Sequence, residues 1–324
     1  MISLLGLDNL PSEVIKQINS VVRIWQIALN NRLIGIYLHG SIGMWSQLII
    51  RRVIGMREKV FNTEKGAVHY WTGAVSGERP WLVFLPGLTA DHRLFERQIE
   101  EFKDEFNLFV WDAPGHGSSR PFELSFSLAD TAEWLYSILT HEEITRPVII
   151  GQSFGGYIAQ ALMEKYPDCP SGFVSIDSAP LKRKYVKSWE LYALKNTKYI
   201  YGAYPWSLLK KYGAKGCAET GYGRKLMYAM MDSYTKREYC ELASYGFKIL
   251  ADAIEADLEY EIPCPALLIC GEKDKAGYTK RYNKAWAKQS GLPVKWIPRA
   301  GHNSNTDKPE LVNSAIREFI RALQ

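Results

Sequence analysis

From about Met56 to the end of the chain, short runs of four or five apolar residues alternate with stretches of helical periodicity. No other feature restricts the fold as much. Apolar runs too short for a helix and lacking in-out alternation suit strands buried on both faces, which belong to mostly parallel sheets covered by helices. Residues 81–85, 108–111, 148–150, 173–176, 266–270 and 294–297 are such runs. Residues 59–62 and 67–71 flank the turn-forming Thr63-Glu64-Lys65-Gly66 and predict an antiparallel hairpin. The total is an α/β fold with a sheet of about eight strands. Helices are expected near 92–106, 128–141, 154–166, 279–289 and 308–323, the third stopping before Pro167 as proline requires.

The alternation breaks once. Residues 178–262 are helical and aromatic with no clear buried strand, which predicts a helical lid inserted before the last two strands. The core is then 56–177 plus 263–324, and residues 1–55 form an extension outside it. An insertion at that point covers the carboxyl ends of the strands, where ligands collect in open α/β sheets. Between 180 and 250 there are 14 Lys and Arg against 5 Asp and Glu, and 11 of the chain's 19 tyrosines. Basic residues interleaved with aromatics can suit nucleic acid, but no nucleic-acid motif accompanies them, so a basic face over a tyrosine-lined cavity is the reading adopted.

Gly151-Gln152-Ser153-Phe154-Gly155 fits G-x-S-x-G and lies directly between a predicted strand and a predicted helix. The sharp turn projects Ser153, and the helix behind it aims free N–H groups at the place where an oxyanion would form. A serine hydroxyl is a weak nucleophile, so it needs a base and the base an orienting carboxylate. His302 follows the 294–297 strand and Asp274 follows the 266–270 strand. Both project from the same end of the sheet as Ser153, in the chain order Ser, Asp, His. Asp177, after the 173–176 strand, is the rival acid, and Glu272 a weaker one. The N–H groups of Leu88 and Phe154 are the expected oxyanion donors, Gly87 allowing close backbone approach. Trp189, Tyr204 and Trp206 are expected to line the lid side of the substrate cavity.

The loop Asp112-Ala113-Pro114-Gly115-His116-Gly117-Ser118-Ser119 holds Asp, His and Ser together, yet is too turn-rich to form a relay on a rigid face. Asp112 is expected to tie its own loop through backbone hydrogen bonds. His39, His69, His92 and His141 show neither ligand spacing nor a paired carboxylate in the sequence. Five cysteines without any CxxC spacing give no zinc site and no disulfide framework, which fits a reducing, cytoplasmic setting. No secretory leader is evident, and the apolar stretch 33–50 is interrupted by His39, Ser41, Ser46 and Gln47, so a membrane span is not expected.

P-G-L-T at Pro86, D-A-P-G-H-G-S-S at Asp112, G-Q-S-F-G-G at Gly151, G-E-K-D at Gly271 and A-G-H at Ala300 together resemble the α/β-hydrolase superfamily. The likeness is to its lid-bearing members related to small esterases, lipases and cofactor-free haloperoxidases, and it spans about 57–324. It implies a serine hydrolase acting on a small-molecule acyl substrate with no cofactor and no metal. Thioesterases, lactonases, C–C hydrolases and acyltransferases use the same frame, and a ligand-binding protein without turnover is the alternative of another class. Serine at 153 argues against the dehalogenases and epoxide hydrolases, which place aspartate there, and Pro86 stands where many relatives carry histidine.

The first 55 residues lie outside that pattern. Leu33-Ile34-Gly35-Ile36-Tyr37-Leu38-His39-Gly40-Ser41 resembles the opening strand and Gly-Ser turn of an aminoglycoside-type nucleotidyltransferase, but 41–57 contains no Asp or Glu to hold magnesium, so nucleotidyl transfer is not expected. The segment is read as a leader fused in front of a hydrolase that begins near Met56. The alternative is a helical arm that packs on the lid or mediates homodimerisation.

Overall fold

The computed structural model describes residues 56–75 and 78–323. The N-terminal segment with its nucleotidyltransferase-like stretch, His39 and the apolar run 33–50 lies outside them. Eight strands form one sheet in the order β1-β2-β4-β3-β5-β6-β7-β8. They are β1 (Arg57–Thr63), β2 (Gly66–Gly73), β3 (Trp81–Leu85), β4 (Asn107–Trp111), β5 (Val148–Gln152), β6 (Gly172–Ile176), β7 (Ala266–Gly271) and β8 (Val294–Ile297). The first two strands pair antiparallel with each other and β2 antiparallel with β4, while every pairing from β4 through β8 is parallel.

Burial follows from this order. Every residue of β4, β5 and β6 is buried, as expected of parallel strands covered on both faces, whereas the edge strand β1 leaves Val60 48 % exposed. The covering helices are α1 (Glu96–Phe102), α2 (Leu128–His141), α3 (Phe154–Lys165), α9 (Thr279–Ser290) and α11 (Pro309–Ala322). Between β6 and β7 the chain forms a 3-10 turn (Arg183–Tyr185) and five helices: α4 (Ser188–Lys195), α5 (Thr197–Ala203), α6 (Trp206–Cys217), α7 (Gly221–Asp232) and α8 (Lys236–Glu255). A short α10 (Ser304–Asp307) precedes α11.

Caps explain several boundaries. Helix α2 starts at a capping box in which Ser127 Oγ accepts from the Asp130 N–H and Asp130 accepts from the Ser127 N–H, and α8 starts at the same device built from Thr235 and Glu238. Helix α1 is shorter than the 92–106 span expected from sequence. Residues 92–95 form a 3-10 turn under the Asp91 cap, and α1 ends at Phe102. Phe106 continues the apolar spacing because it packs edge-on against Phe102 at 5.7 Å, but the chain has already turned toward β4.

Two histidines, both half-buried, have a carboxylate partner that the sequence did not show. His69 Nδ1 lies 3.0 Å from Glu58, because the hairpin register sets Val60 opposite His69, and His92 Nδ1 lies 2.9 Å from Asp112. Both carboxylates are distant in sequence, so spacing alone could not reveal them. Among the described residues, no helix is long and apolar enough to cross a membrane.

The core placement yields a stability contrast. Ile149, at the fully buried centre of the sheet, should cost about 2–5 kcal/mol when replaced by alanine, whereas Val60→Ala on the edge should stay within about 0.5 kcal/mol. Urea unfolding of the two variants measures the difference.

Candidate active site

The parallel register brings the carboxyl ends of β3, β5, β6, β7 and β8 to one rim: Leu85 pairs with Gly151, Gln152 with Ile176, Ile176 with Ile269 and Gly271 with Ile297. Chain order reverses at β3, whose two neighbours are β4 and β5, and the crevice at such a reversal is where open α/β sheets bind ligands.

Ser153 stands at this reversal, at the junction of β5 and α3. Its φ of 49° and ψ of −113° lie where a residue with a side chain is strained, at a cost of about 1–3 kcal/mol. Three hydrogen bonds hold it there: the Ser153 N–H to the Ile176 carbonyl at 2.8 Å, the Gly156 N–H to the Ser153 carbonyl at 2.9 Å, and Ser178 Oγ to that same carbonyl at 2.7 Å. A Cβ on Gly155 would fall inside the contact radius of the Leu85 carbonyl oxygen. Glycine there lets α3 press against β3, so the serine side chain is thrust out of the turn.

His302 follows β8 and Asp274 follows β7. His302 Nδ1 lies 2.9 Å from Asp274 Oδ2 and its Nε2 lies 2.9 Å from Ser153 Oγ. A carboxylate at Nδ1 fixes the proton on that nitrogen and leaves Nε2 to accept from the serine hydroxyl. Asp274 is buried, and its second oxygen accepts the Ala276 N–H at 2.7 Å. Burial opposes protonation of His302, yet the charge and hydrogen bond of Asp274, with Asp177 behind, outweigh it and hold the imidazole pKa above its ordinary value.

Asp177 does not bond to the imidazole. Its carboxylate accepts the Gly271 N–H at 2.7 Å and the Ser304 N–H at 2.8 Å, joining the end of β7 to the segment just after His302. Burial first, and then the Asp274 charge, push the Asp177 carboxyl above the usual carboxylate range. Glu272 is exposed.

Gly87 brings its loop against Ser153, since a Cβ there would lie 3.2 Å from the serine Cβ. Neither the Leu88 nor the Phe154 N–H donates to another group among the described residues. The Leu88 side chain packs on Gly246 of α8. A narrow, mostly apolar crevice beside Phe154 is lined by His116, Phe126, Leu242, Tyr245 and Ile249. His116 is buried with Nδ1 3.0 Å from the Pro114 carbonyl, and burial lowers its pKa.

Two of the three aromatic lining residues expected from sequence are largely exposed. Trp189 is 54 % exposed and packs edge-on against Tyr278 at 5.9 Å, and Tyr204 is 48 % exposed. Composition put aromatics in this insertion but could not say which helix face each occupies. Trp206 is half-buried, its ring 5.3 Å from that of Tyr239. Wall residues Leu242 and Tyr245 were not singled out from sequence, although their spacing of three places them on one face of α8. Gln152 was also missed: its side-chain amide donates to the His302 carbonyl at 2.9 Å and to Asn303 Oδ1 at 3.2 Å, bracing the histidine turn from inside the motif.

Asp112 ties its own loop. Its carboxylate accepts the His92 N–H at 2.7 Å and the Ser118 N–H at 2.6 Å, while its carbonyl accepts from Ser119 Oγ at 2.7 Å. Asp91, Asp112 and His92 offer ligand atoms close enough together for a metal ion, but Asp91 is engaged by Arg93 and Asp112 by these donors.

A model of the alpha/beta hydrolase family matches residues 82–315. The chain belongs to that family. Among relatives, it is 25 % identical over 267 residues to the 2-(acetamidomethylene)succinate hydrolase of Mesorhizobium japonicum, covering 76 % of this chain and 90 % of that protein. It is 24 % identical over 254 residues to the 2-succinyl-6-hydroxy-2,4-cyclohexadiene-1-carboxylate synthase of Citrobacter koseri, covering 75 % and 94 %. Among solved structures, the enol-lactonase of Burkholderia xenovorans superposes with a TM-score of 0.65 at 20 % identity, covering 81 % of this chain and all of that one. This alpha/beta hydrolase thus shares its sheet with proteins of differing substrates.

The His302 environment carries a pH prediction. A base acts only when neutral, so the acid limb of Ser153 reactivity should lie at the raised His302 pKa, and Asp274→Asn, which removes the neighbouring charge, should move that limb to lower pH. The rate of fluorophosphonate labelling against pH measures it; a limb unmoved by the substitution contradicts the assignment.

Proposed function

We propose that this alpha/beta hydrolase is a serine hydrolase that cleaves a carboxylic ester or related acyl bond through an acyl-enzyme. The observation that carries the reading is the continuous chain from Ser153 Oγ through both imidazole nitrogens of His302 to Asp274, with 2.9 Å at each link, starting at a strained turn that holds the hydroxyl outward. Ser153 Oγ attacks the acyl carbon as its proton passes to His302 Nε2. The tetrahedral oxyanion is held by the Leu88 and Phe154 N–H groups, and the positive imidazole is stabilised by Asp274. The leaving group departs with the proton from Nε2. Water then attacks the acyl carbon, giving its proton to Nε2, and Ser153 leaves with that proton restored.

Residues 178–262 serve in this reading as the lid, and residues 1–55 as an extension outside the hydrolase core. Five free cysteines suit a cytoplasmic enzyme. A second reading keeps the same proton relay for a different bond: one relative is named for hydrolysis of 2-(acetamidomethylene)succinate and another as a synthase of a succinyl cyclohexadiene carboxylate. The basic insertion favours acidic substrates of that kind.

A panel of p-nitrophenyl esters, thioesters, lactones and amide-bearing dicarboxylates separates these readings. Ser153→Ala should abolish both turnover and fluorophosphonate labelling, and Asp274→Asn should lower kcat by roughly 10⁴-fold. Turnover retained by Ser153→Ala would exclude the acyl-enzyme.

A further inference from the structure

The histidine turn is tied to the helical insertion through a residue that the proton relay does not include. Asp307, at the end of α10, is 5 % exposed, and the donors that its carboxylate meets among the described residues are uncharged. Four donors hold its carboxylate. Oδ2 accepts the Gly301 N–H and the Glu219 N–H, each at 2.8 Å, and Oδ1 accepts the Thr220 N–H and Thr220 Oγ1, each at 2.8 Å. Gly301 immediately precedes His302, whereas Glu219 and Thr220 form the turn between α6 and α7. A fifth bond runs beside these, from the Asn303 N–H to the Cys217 carbonyl at 2.7 Å. The residues on both sides of His302 are therefore fastened to the middle of the insertion, and one carboxylate makes most of the connection.

We propose that Asp307 is a positioning residue that sets the His302 imidazole against Ser153 and transmits the placement of the α6–α7 turn to it. This rests on the serine-hydrolase reading of the same site. The chemistry is specific to a carboxylate, because each oxygen accepts two hydrogen bonds. An asparagine of equal size would present an NH₂ to two of the four donors, so its turn must shift. A displacement of the base by a fraction of an ångström lengthens the 2.9 Å bond to Ser153 Oγ, and an acid–base step is steeply sensitive to such a change. A substrate that moves the α6–α7 turn on entering beneath the insertion would move the imidazole with it.

The test compares the full chain with Asp307→Asn and Thr220→Ala, the latter removing one donor from the insertion side alone. Circular dichroism melting establishes the temperature at which each is folded, and the second-order rate of fluorophosphonate labelling is then followed against pH. Asp307→Asn, where folded, should label about 10- to 100-fold more slowly, with its acid limb displaced to lower pH as the Asp274 hydrogen bond loosens. Thr220→Ala should show a smaller decrease of about 2- to 5-fold. A role confined to stability would lower the melting temperature and leave the labelling rate of folded protein unchanged, which would overturn the proposal. Should Asp307→Asn not fold, an unchanged rate in Thr220→Ala would overturn it equally. Wild-type protein that does not label at all refutes the serine-hydrolase reading instead, so the two failures are distinguishable.

Discussion

The contact between α3 and β3 is the constraint around which the site is built. Helix α3 begins so close to the Leu85 carbonyl that only glycine fits at position 155, and the chain can reach that helix from β5 only through the strained backbone of Ser153. The cost is offset by the buried sheet on which the turn stands, with Ile149, Ile150, Phe173 and Val174 all inaccessible to solvent. Strand packing and backbone strain thus share one origin.

Behind the serine lies a graded arrangement of charge. Asp274 faces His302 directly, while Asp177 is buried one layer further back and is held by backbone N–H groups rather than by a cation. Burial, with the charge of Asp274 added to it, displaces the deeper carboxyl upward. The imidazole receives the field of the nearer acid, and its turn is braced from below by Asp177 and from the side by Gln152. Asp177 thus adds to both the bracing of the turn and the field at the imidazole.

The sheet was legible in the sequence because its strands are unmixed apolar runs separated by turn-forming residues, and each run from 81–85 onward falls on an observed strand. The α2 and α9 starts were legible as well, whereas α1 was overextended because Phe106 follows Phe102 at a helical spacing although the helix has already ended there. Ser153, Asp274 and His302 were expected at one rim because each follows a strand at the same end of the sheet, and they are hydrogen-bonded there. Residues that act across sequence distance were not legible. Nothing local indicates that the Gln152 amide meets a carbonyl 150 positions away, or that Asp112 pairs with His92. The exposure of Trp189 and Tyr204 was not legible for a related reason, since a helix can face a residue outward or inward with the same local pattern.

The insertion leaves the sheet after β6 and returns at β7, two strands that are already hydrogen-bonded neighbours through Ile176 and Ile269. Its ends are therefore held together by the core, whatever lies between them. Lengthening such an excursion costs only about 0.6 kcal/mol for each doubling, so the segment between β6 and β7 can change in length at little cost to the sheet. The carboxylate of Asp307 is one joint that any replacement of the α6–α7 turn would have to reproduce.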